Sequence, residues 1–448
     1  MTDGYSDARA APGWPGADGG GALTTSVEYP RRVAMISMHT SPLATPGVGD
    51  AGGLNVYVAE VARRLGERGL KADVFTRTDD PELPEIVDIH EHTRVIHVRA
   101  GPREVLAKEA LLSLLPEFSA QVQNRMDGYD LVHSHYWLSG LIGLDLQACY
   151  GMPLVHTMHT MARVKNAALS SSQEGEPGVR ERGELEIVRR ATVLTANTQD
   201  EATQLQKHYG ARPEQIMIVP PGVDLRTFHP CNQPRSRAQL DVPGDAQVIL
   251  FVGRVQPLKA PDVLIKAVAV MAHRDPHRCD RLKLIIIGSP SGPEAEWSHT
   301  LPALARSLGV ENLVEFRPHS ARSELFRWYC VSDVVGVPSH NESFGLVALE
   351  AQACGRPVVV ADVPGLRHAV DDQHTGLLVY DHDERQWAKA LMRLLDDPQE
   401  RLQMGANAAG RAARFSWDNT AAATLRSYVV ALNHQLAPPG QVGRGENI

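Results

Sequence analysis

Two carboxylates, Glu342 and Glu350, flank the triplet Ser343-Phe344-Gly345 in the stretch NESFGLVALEAQACGRPVV. The triplet opens onto an apolar helical pattern, and a helix start offers unpaired N–H groups and a partial positive charge to an anion. Glu342 precedes that helix, while Glu350 falls about two turns inside it, on the order of 10 Å along its axis. At that distance the pair can grip two ends of one ligand, which separates it from a glycosidase pair acting across a single bond. Carboxylates accept from hydroxyls, and helix amides donate to phosphate. A ligand with hydroxyls at one end and phosphate at the other has the outline of a nucleotide-sugar.

FVGRVQPLKAPDVLI places Arg254 and Lys259 between a β-branched run and a helical one. Two cations there could hold a diphosphate and stabilise it as it leaves; the alternative is a pair of solvated loop charges. PGVGDAGGLNVYVAEVARRLGERG contains a literal G-x-G-x-x-G at Gly47, Gly49 and Gly52. As a dinucleotide fingerprint it lacks a tight turn directly after the strand, since HTSPLATP intervenes, and Arg77 stands where an acidic residue should close the next strand. Glycines that bring backbone close to a ligand, with Gly53 and Asn55 nearest it, fit better; a structural turn is the third reading. HSHYW and HTMH supply His133, His135, His156 and His159. Zinc would want a carboxylate or thiol at ligand spacing, which is missing, so buried structural histidines and a substrate-contacting His159 remain. Asp381-His382-Asp383 spells a metal-type D-x-D but precedes an amphipathic stretch, as a helix cap does.

These groups need a scaffold, and the chain alternates short β-branched runs with amphipathic stretches. RVAMISM, KADVFTR, DLVHSH, MPLVHTMH, ATVLTANT and QIMIVPPG form one series; QVILFVGR, LKLIIIGS, DVVGVPS and PVVVADVPG form a second. The pattern predicts α/β architecture with two doubly wound parallel sheets. A disordered tail is expected over residues 1–30, a first domain over 31–225, a linker over 226–246 and a second domain over 247–414. A helix over 415–436 would cross back to the first domain, and 437–448 would form a second tail. Ligands of such sheets sit beyond the carboxyl ends of the strands, and His39, His133, His135, His156, His159, Arg254 and Glu342 all fall there.

Of the 448 residues 43% are hydrophobic and 22% charged, enough for two cores. A net charge of -8 leaves no global basic field for nucleic acid or an anionic membrane, and no run approaches membrane-spanning length. Any anion must meet a local site. Five scattered cysteines, odd in number, read as reduced thiols of a cytoplasmic protein.

Taken together, GGLNVYV, HSHYW, HTMH, PPGVDL, FVGRVQPLKAPDVLI and the E-x7-E of NESFGLVALE resemble the retaining glycosyltransferases of the GT-B fold, family 4, from about Arg32 to Leu436. MISMHTSPL, GDAGGLNVYV, HSHYWLSG and VGRVQPLKAPDVLI are most similar to the branch acting in actinobacterial mycothiol biosynthesis. The resemblance implies two facing Rossmann-like domains with an interdomain cleft. It also implies transfer of N-acetylglucosamine from UDP-N-acetylglucosamine to 1D-myo-inositol 3-phosphate with the anomeric configuration kept. Gly53, Arg254, Lys259, Ser320, Glu342, Phe344, Gly345, Leu346 and Glu350 match donor contacts, with Thr45 and Pro46 flanking the donor. Glu350 would take the uridine ribose, Glu342 the sugar, and the amides of Phe344 to Leu346 the diphosphate. His39, Asp50, Asn55, Lys108, Tyr136, Thr160 and Arg180 match acceptor contacts, and His159 joins Arg254, Lys259 and Glu342 at the reacting centre. The likeness implies no cofactor for catalysis, a structural Mg2+ ligated by backbone around Tyr329, Cys330, Ser332 and Arg356, and is compatible with a homodimer. Two departures stand out: Thr45 sits where glutamine is common, and ELFRWYCVSD replaces a Tyr-Arg-Ala-Ala-Asp run. A sucrose-phosphate-synthase-like transferase is the nearest rival; an NADP-dependent oxidoreductase using Arg77 and a non-catalytic sugar-nucleotide sensor are rivals of other classes.

Overall fold

The computed structural model describes residues 29–45, 51–167, 175–290 and 295–436. The first domain is an eight-stranded sheet: β1 (Arg32–Ile36), β2 (Lys71–Arg77), β3 (Ile86–His90), β4 (Thr93–Val98), β5 (Leu131–His135), β6 (Leu154–Thr157), β7 (Val193–Ala196) and β8 (Ile216–Ile218). Their order is β3-β4-β2-β1-β5-β6-β7-β8, with β3 antiparallel to β4 at one edge and the other pairings parallel. The second domain is a parallel sheet of β9 (Gln247–Val252), β10 (Leu282–Ile287), β11 (Val314–Arg317), β12 (Val334–Val337), β13 (Val358–Ala361) and β14 (Gly376–Val379), in the order β11-β10-β9-β12-β13-β14. Strands such as LKLIII and VVVA read as near-continuous apolar runs because both faces are covered by helices, and LVHSH is buried throughout despite its two histidines and serine.

In each sheet the chain first winds one way and then the other, reversing between β1 and β5 and between β9 and β12. Crevices open at such switch points. The loop after β1 carries His39, the helix that directly follows β5 begins at Tyr136, the loop after β9 carries Arg254 and Lys259, and that after β12 carries Glu342.

The segment between the domains is more ordered than its composition suggests. Asn232 caps a helix at Gln233–Gln239, accepting from the Arg235 N–H at 3.0 Å, and Arg237 pairs with Asp333 at 2.8 Å. This fastens the linker to the second domain. Against the sequence reading of scattered thiols, Cys231 of the linker is joined to Cys330 by a disulfide, although they are 99 residues apart. Separation along the chain says nothing about proximity once the linker folds back onto the Arg322–Val331 helix. A chain that holds both a disulfide and free thiols does not mark a reducing compartment. Among the described residues Cys149, Cys279 and Cys354 are free thiols.

The helix Trp417–Leu436 leaves the second domain and packs on the first. Trp417 and Tyr428 are buried with Val58, Val61, Leu131 and Val155 of the first domain. Each fully buried aromatic is worth about 3 kcal/mol relative to exposure. The Tyr428 hydroxyl also lies 2.8 Å from His133 Nδ1, and Thr420 donates to the Pro220 carbonyl at 2.8 Å.

Candidate functional site

Two helix N-termini meet across the cleft. The Gly53–Gly66 helix begins at the first domain's crevice, and a Cβ built on Gly53 would sit 3.4 Å from Leu346 Cδ1, at the first residue of the Leu346–Ala353 helix. Since that helix starts at Leu346, Glu350 is its fifth residue and lies about 6 Å along the axis from its first. The two turns read from the sequence are thus little more than one. Gly345 caps the helix at φ 85°, where a side chain is strained, and its Cβ would meet Leu366 at 2.5 Å. Phe344 is buried against His368 and Phe415. Its side chain thereby anchors the loop from within the core.

The second-domain wall holds the charges. Lys259 is ion-paired with Glu342, whose Oε1 also accepts from Ser339 Oγ at 3.1 Å. The His340 N–H donates to the Leu258 carbonyl at 2.9 Å and ties the two loops together. Among the described residues the half-buried Arg254 guanidinium has no hydrogen-bond or ion-pair partner. Ser320 lies just before the Arg322–Val331 helix. Glu350 Oε2 accepts from the Tyr329 hydroxyl at 2.9 Å, and burial raises the Glu350 carboxyl above its ordinary value while Arg322 opposes the rise.

The first-domain wall is built from loops at the ends of β1, β5 and β6. Tyr136 (φ 71°) and His159 (φ 60°) adopt left-handed backbone conformations there, as does Ala260 (φ 49°) beside Lys259. Three non-glycine residues held in this region around one cleft are a concentration of strain typical of functional sites. The His159 carbonyl accepts from Ser343 Oγ at 2.7 Å, a direct bond between the domains. His39 stacks on Tyr136 with ring centroids 4.4 Å apart, and the Arg180 guanidinium lies 4.9 Å over the other residue of that pair, Tyr136. Arg180 reaches Thr160 Oγ1 at 2.9 Å. It is held in turn by Glu176 and Glu184, both at 2.7 Å, which are four residues either side of it. Lys108 and Arg180 both act on His39, whose pKa burial and then these cations push down to about 3. The cationic groups carried over for the acceptor therefore converge.

Asn55 is spent within the protein. Its amide donates to Thr40 Oγ1 and the Ser41 carbonyl, both at 2.6 Å, and accepts from the Gly52 N–H at 2.8 Å, clamping the loop after β1 to the helix start. Thr45 is exposed in that loop, whereas Pro46, Asp50, Gly47 and Gly49 lie outside the described residues. Arg77 donates to the carbonyls of Pro102 at 2.7 Å and Glu104 at 2.5 Å, so the guanidinium an oxidoreductase would offer to a 2′-phosphate is already engaged. Asp383 caps its helix by accepting from the Arg385 and Gln386 N–H groups, which accounts for the D-x-D.

The histidines form a polar buried seam. His133 contacts Tyr428 and Thr157, Ser134 Oγ lies 2.8 Å from His156 Nδ1, and His135 Nδ1 lies 3.1 Å from His159 Nε2. No group of three or more metal-ligating side chains occurs among the described residues, which leaves zinc without ligands. The residues carried over for Mg2+ do not fit a cation either. The Ser332 carbonyl takes Gln233 Nε2 at 2.8 Å and Arg356 at 3.3 Å, and the Tyr329 carbonyl takes Ser332 Oγ at 2.9 Å. Donors, one of them a guanidinium, point where a cation would need free acceptors.

Burial pushes His156 and His159 down to about 3 from an ordinary 6.5, as it does His39. Neutral in the fold and titrating near 6.5 when unfolded, they contribute stability that is complete above that pH and is lost as pH falls toward 3. His156→Gln should remove one such proton and flatten the acid limb of unfolding free energy by about 1.4 kcal/mol per pH unit. Urea titrations between these pH values check it; an unchanged slope relative to wild type would show that His156 does not titrate on unfolding.

Facing doubly wound domains, a cleft between their switch points and paired helix N-termini on its walls define the GT-B glycosyltransferases. Glycosyltransferase Family 4 matches residues 51–227, and Glycosyl transferases group 1 matches residues 232–411. The D-inositol 3-phosphate glycosyltransferase of Kineococcus radiotolerans is 51% identical over 424 residues, covering 92% of this chain and 98% of that protein. The protein of that name from Thermobispora bispora is 47% identical, covering 91% and 97%. Among solved structures, the sucrose-phosphate synthase of Thermosynechococcus elongatus superposes with a TM-score of 0.81 at 31% identity, covering 91% of this chain and 99% of that one. The chain belongs to the D-inositol 3-phosphate glycosyltransferase family, and it is a glycosyltransferase.

Proposed function

We infer that this enzyme transfers N-acetylglucosamine from UDP-N-acetylglucosamine to 1D-myo-inositol 3-phosphate with retention of configuration, the first step of mycothiol biosynthesis. The observation that carries the reading is the division of labour across the cleft. One wall joins a helix N-terminus to Arg254, Lys259, Glu342 and Glu350, and the opposite wall gathers Arg180, Thr160, Tyr136, His39 and Lys108. The first set suits a diphosphate with a ribose and a sugar on either side; the second suits a phosphorylated polyol.

In this reading Glu350 accepts from the ribose hydroxyls, while Glu342 receives a hydroxyl of the sugar. Arg254, Lys259 and the amides at Phe344–Leu346 stabilise the departing diphosphate. The oxygen leaving the anomeric carbon takes the proton of the attacking inositol hydroxyl on the same face, so the carbon–oxygen bond to phosphate breaks as the new glycosidic bond forms. Charge stabilisation and positioning are then the main catalytic contributions. A cytoplasmic enzyme needing no cofactor for the chemical step completes the reading; no helix among the described residues is long and apolar enough to cross a membrane.

A panel of nucleotide-sugars and acceptors, scored by UDP release, tests this directly. Release should require inositol 3-phosphate and be greatest with UDP-N-acetylglucosamine. The likeness to sucrose-phosphate synthase supports a second reading, and release with fructose 6-phosphate but not inositol phosphate would establish it instead. At the donor, Glu350→Ala should weaken UDP binding by about 1.5–3 kcal/mol, the worth of a charge-assisted hydrogen bond. Calorimetry showing unchanged UDP affinity would take the ribose away from Glu350.

A further inference from the structure

Arg322 opens the helix that follows Ser320, and no role falls to it among the donor and acceptor contacts above. Its position is nonetheless singular. Nη1 lies 3.0 Å from Glu60 Oε1 on the first domain's Gly53–Gly66 helix, and Nη2 lies 3.8 Å from Glu350 Oε1. The guanidinium lies 5.4 Å over the ring of Phe228 in the segment linking the domains. One side chain therefore touches both domains and their connection. Its Nε–H is buried without an acceptor among the described residues, a cost that marks a side chain held for its position.

Glu60 is well supplied with charge from its own helix, with Arg63 Nη2 at 2.6 Å and Arg64 Nε at 4.0 Å. It is thus a fixed anchor. The side chains of Glu60 and Glu350 are only 11% and 14% exposed, which limits screening of their attraction to a shared cation. Tyr329 fixes the other oxygen of Glu350 from the same helix as Arg322. The carboxylate is thereby oriented by two groups, and one of them is braced from across the cleft.

We propose that Arg322 is a positioning residue for the nucleotide ribose: it orients Glu350 while Glu60 of the first domain holds its other edge, so that ribose capture depends on the seating of the two domains. The proposal rests on Glu350 being the ribose acceptor. A nucleotide arriving while Glu60 and Arg322 are apart meets a carboxylate fixed by Tyr329 alone.

The test compares UDP with 2′,3′-dideoxy-UDP, which lacks the ribose diol, by calorimetry on the full chain. Wild type should favour UDP by about tenfold. Arg322→Gln and Glu60→Gln should each narrow that ratio to about twofold, and the double variant should narrow it no further because both act through one contact. Arg322→Lys, which keeps the charge and loses the fork, should recover part of the ratio. Equal weakening of both nucleotides would mean a merely structural role and overturn the proposal, as would a Glu60→Gln variant that keeps the wild-type ratio. If Glu350→Gln abolishes discrimination while Arg322→Gln and Glu60→Gln retain it, the proposal fails and the donor reading stands. If Glu350→Gln also discriminates like wild type, the donor reading falls, and the proposal with it.

Discussion

Arg254→Ala should lower kcat by about one hundredfold or more, the loss typical of removing an electrostatic donor to developing charge. Arg254 sits at the carboxyl end of β9 with no partner among the described residues, so its charge is available to the ligand and its removal leaves no protein group uncompensated. Lys259 differs. It is already paired with Glu342, so a diphosphate must compete for it, and Lys259→Ala also releases the carboxylate assigned to the sugar. Loss of Lys259 should therefore lower kcat to a similar extent and raise the donor KM as well. Lys259→Ala and Glu342→Ala should be non-additive, since each removes the same pair. Steady-state and single-turnover rates on the purified variants check these outcomes. A change confined to KM in Arg254→Ala would mean that it binds only the ground state.

The second large effect concerns Arg180, which is both a candidate acceptor contact and the counter-ion of two carboxylates. Its side chain is 3% exposed and that of Glu184 is 0% exposed, and Glu184 also accepts from the Ala162 N–H at 2.9 Å. Removing one partner of a buried pair costs about 3–5 kcal/mol because the other charge is stranded. Arg180→Ala should therefore lower the melting temperature by about 10 °C as well as abolish acceptor saturation. Lys108→Ala should raise the KM for inositol 3-phosphate strongly and reduce the preference over unphosphorylated inositol, while UDP affinity holds. Thermal melts beside kinetics with both acceptors check the pair. Retention of the wild-type preference in Lys108→Ala would remove it from the phosphate site.

The periodic features of this protein were legible in its sequence because they are local. β-Branched runs alternating with amphipathic stretches specify two doubly wound sheets, and loops at strand ends are where such sheets bind ligands. His39, His159, Arg254 and Glu342 could accordingly be placed at strand ends before any coordinates. Asp383 as a cap was readable for the same reason, since the N–H groups that donate to it are two and three residues away. Two more local facts were open to the same reading: the clamp of Asn55 on Gly52, three residues back, and the bracing of Arg180 by carboxylates four residues either side. The first is an N-cap backbone N–H reached by the side chain three residues on, and the second a set of side chains at i±4 spacing.

Tertiary structure decided what depends on closure between distant segments. Lys259 finds Glu342 83 residues away, Arg322 finds Glu60 262 residues away, and Cys231 finds Cys330 across 99. No period relates such partners. Their meeting follows from strand order, from a linker that folds back on the second domain, and from a final helix that returns to the first. The start of the donor helix at Leu346 is another such decision. Gly365 lets its helix press to within 2.3 Å, for a notional Cβ, of the Glu342 carbonyl, and this contact belongs to the loop from Glu342 to Phe344 that precedes the helix. The sequence thus determined which residue types stand at the strand ends, because side-chain chemistry and period are local properties. Which charges are free and which are already neutralised was decided only in the folded chain, because neutralisation requires two groups within a few ångströms of each other.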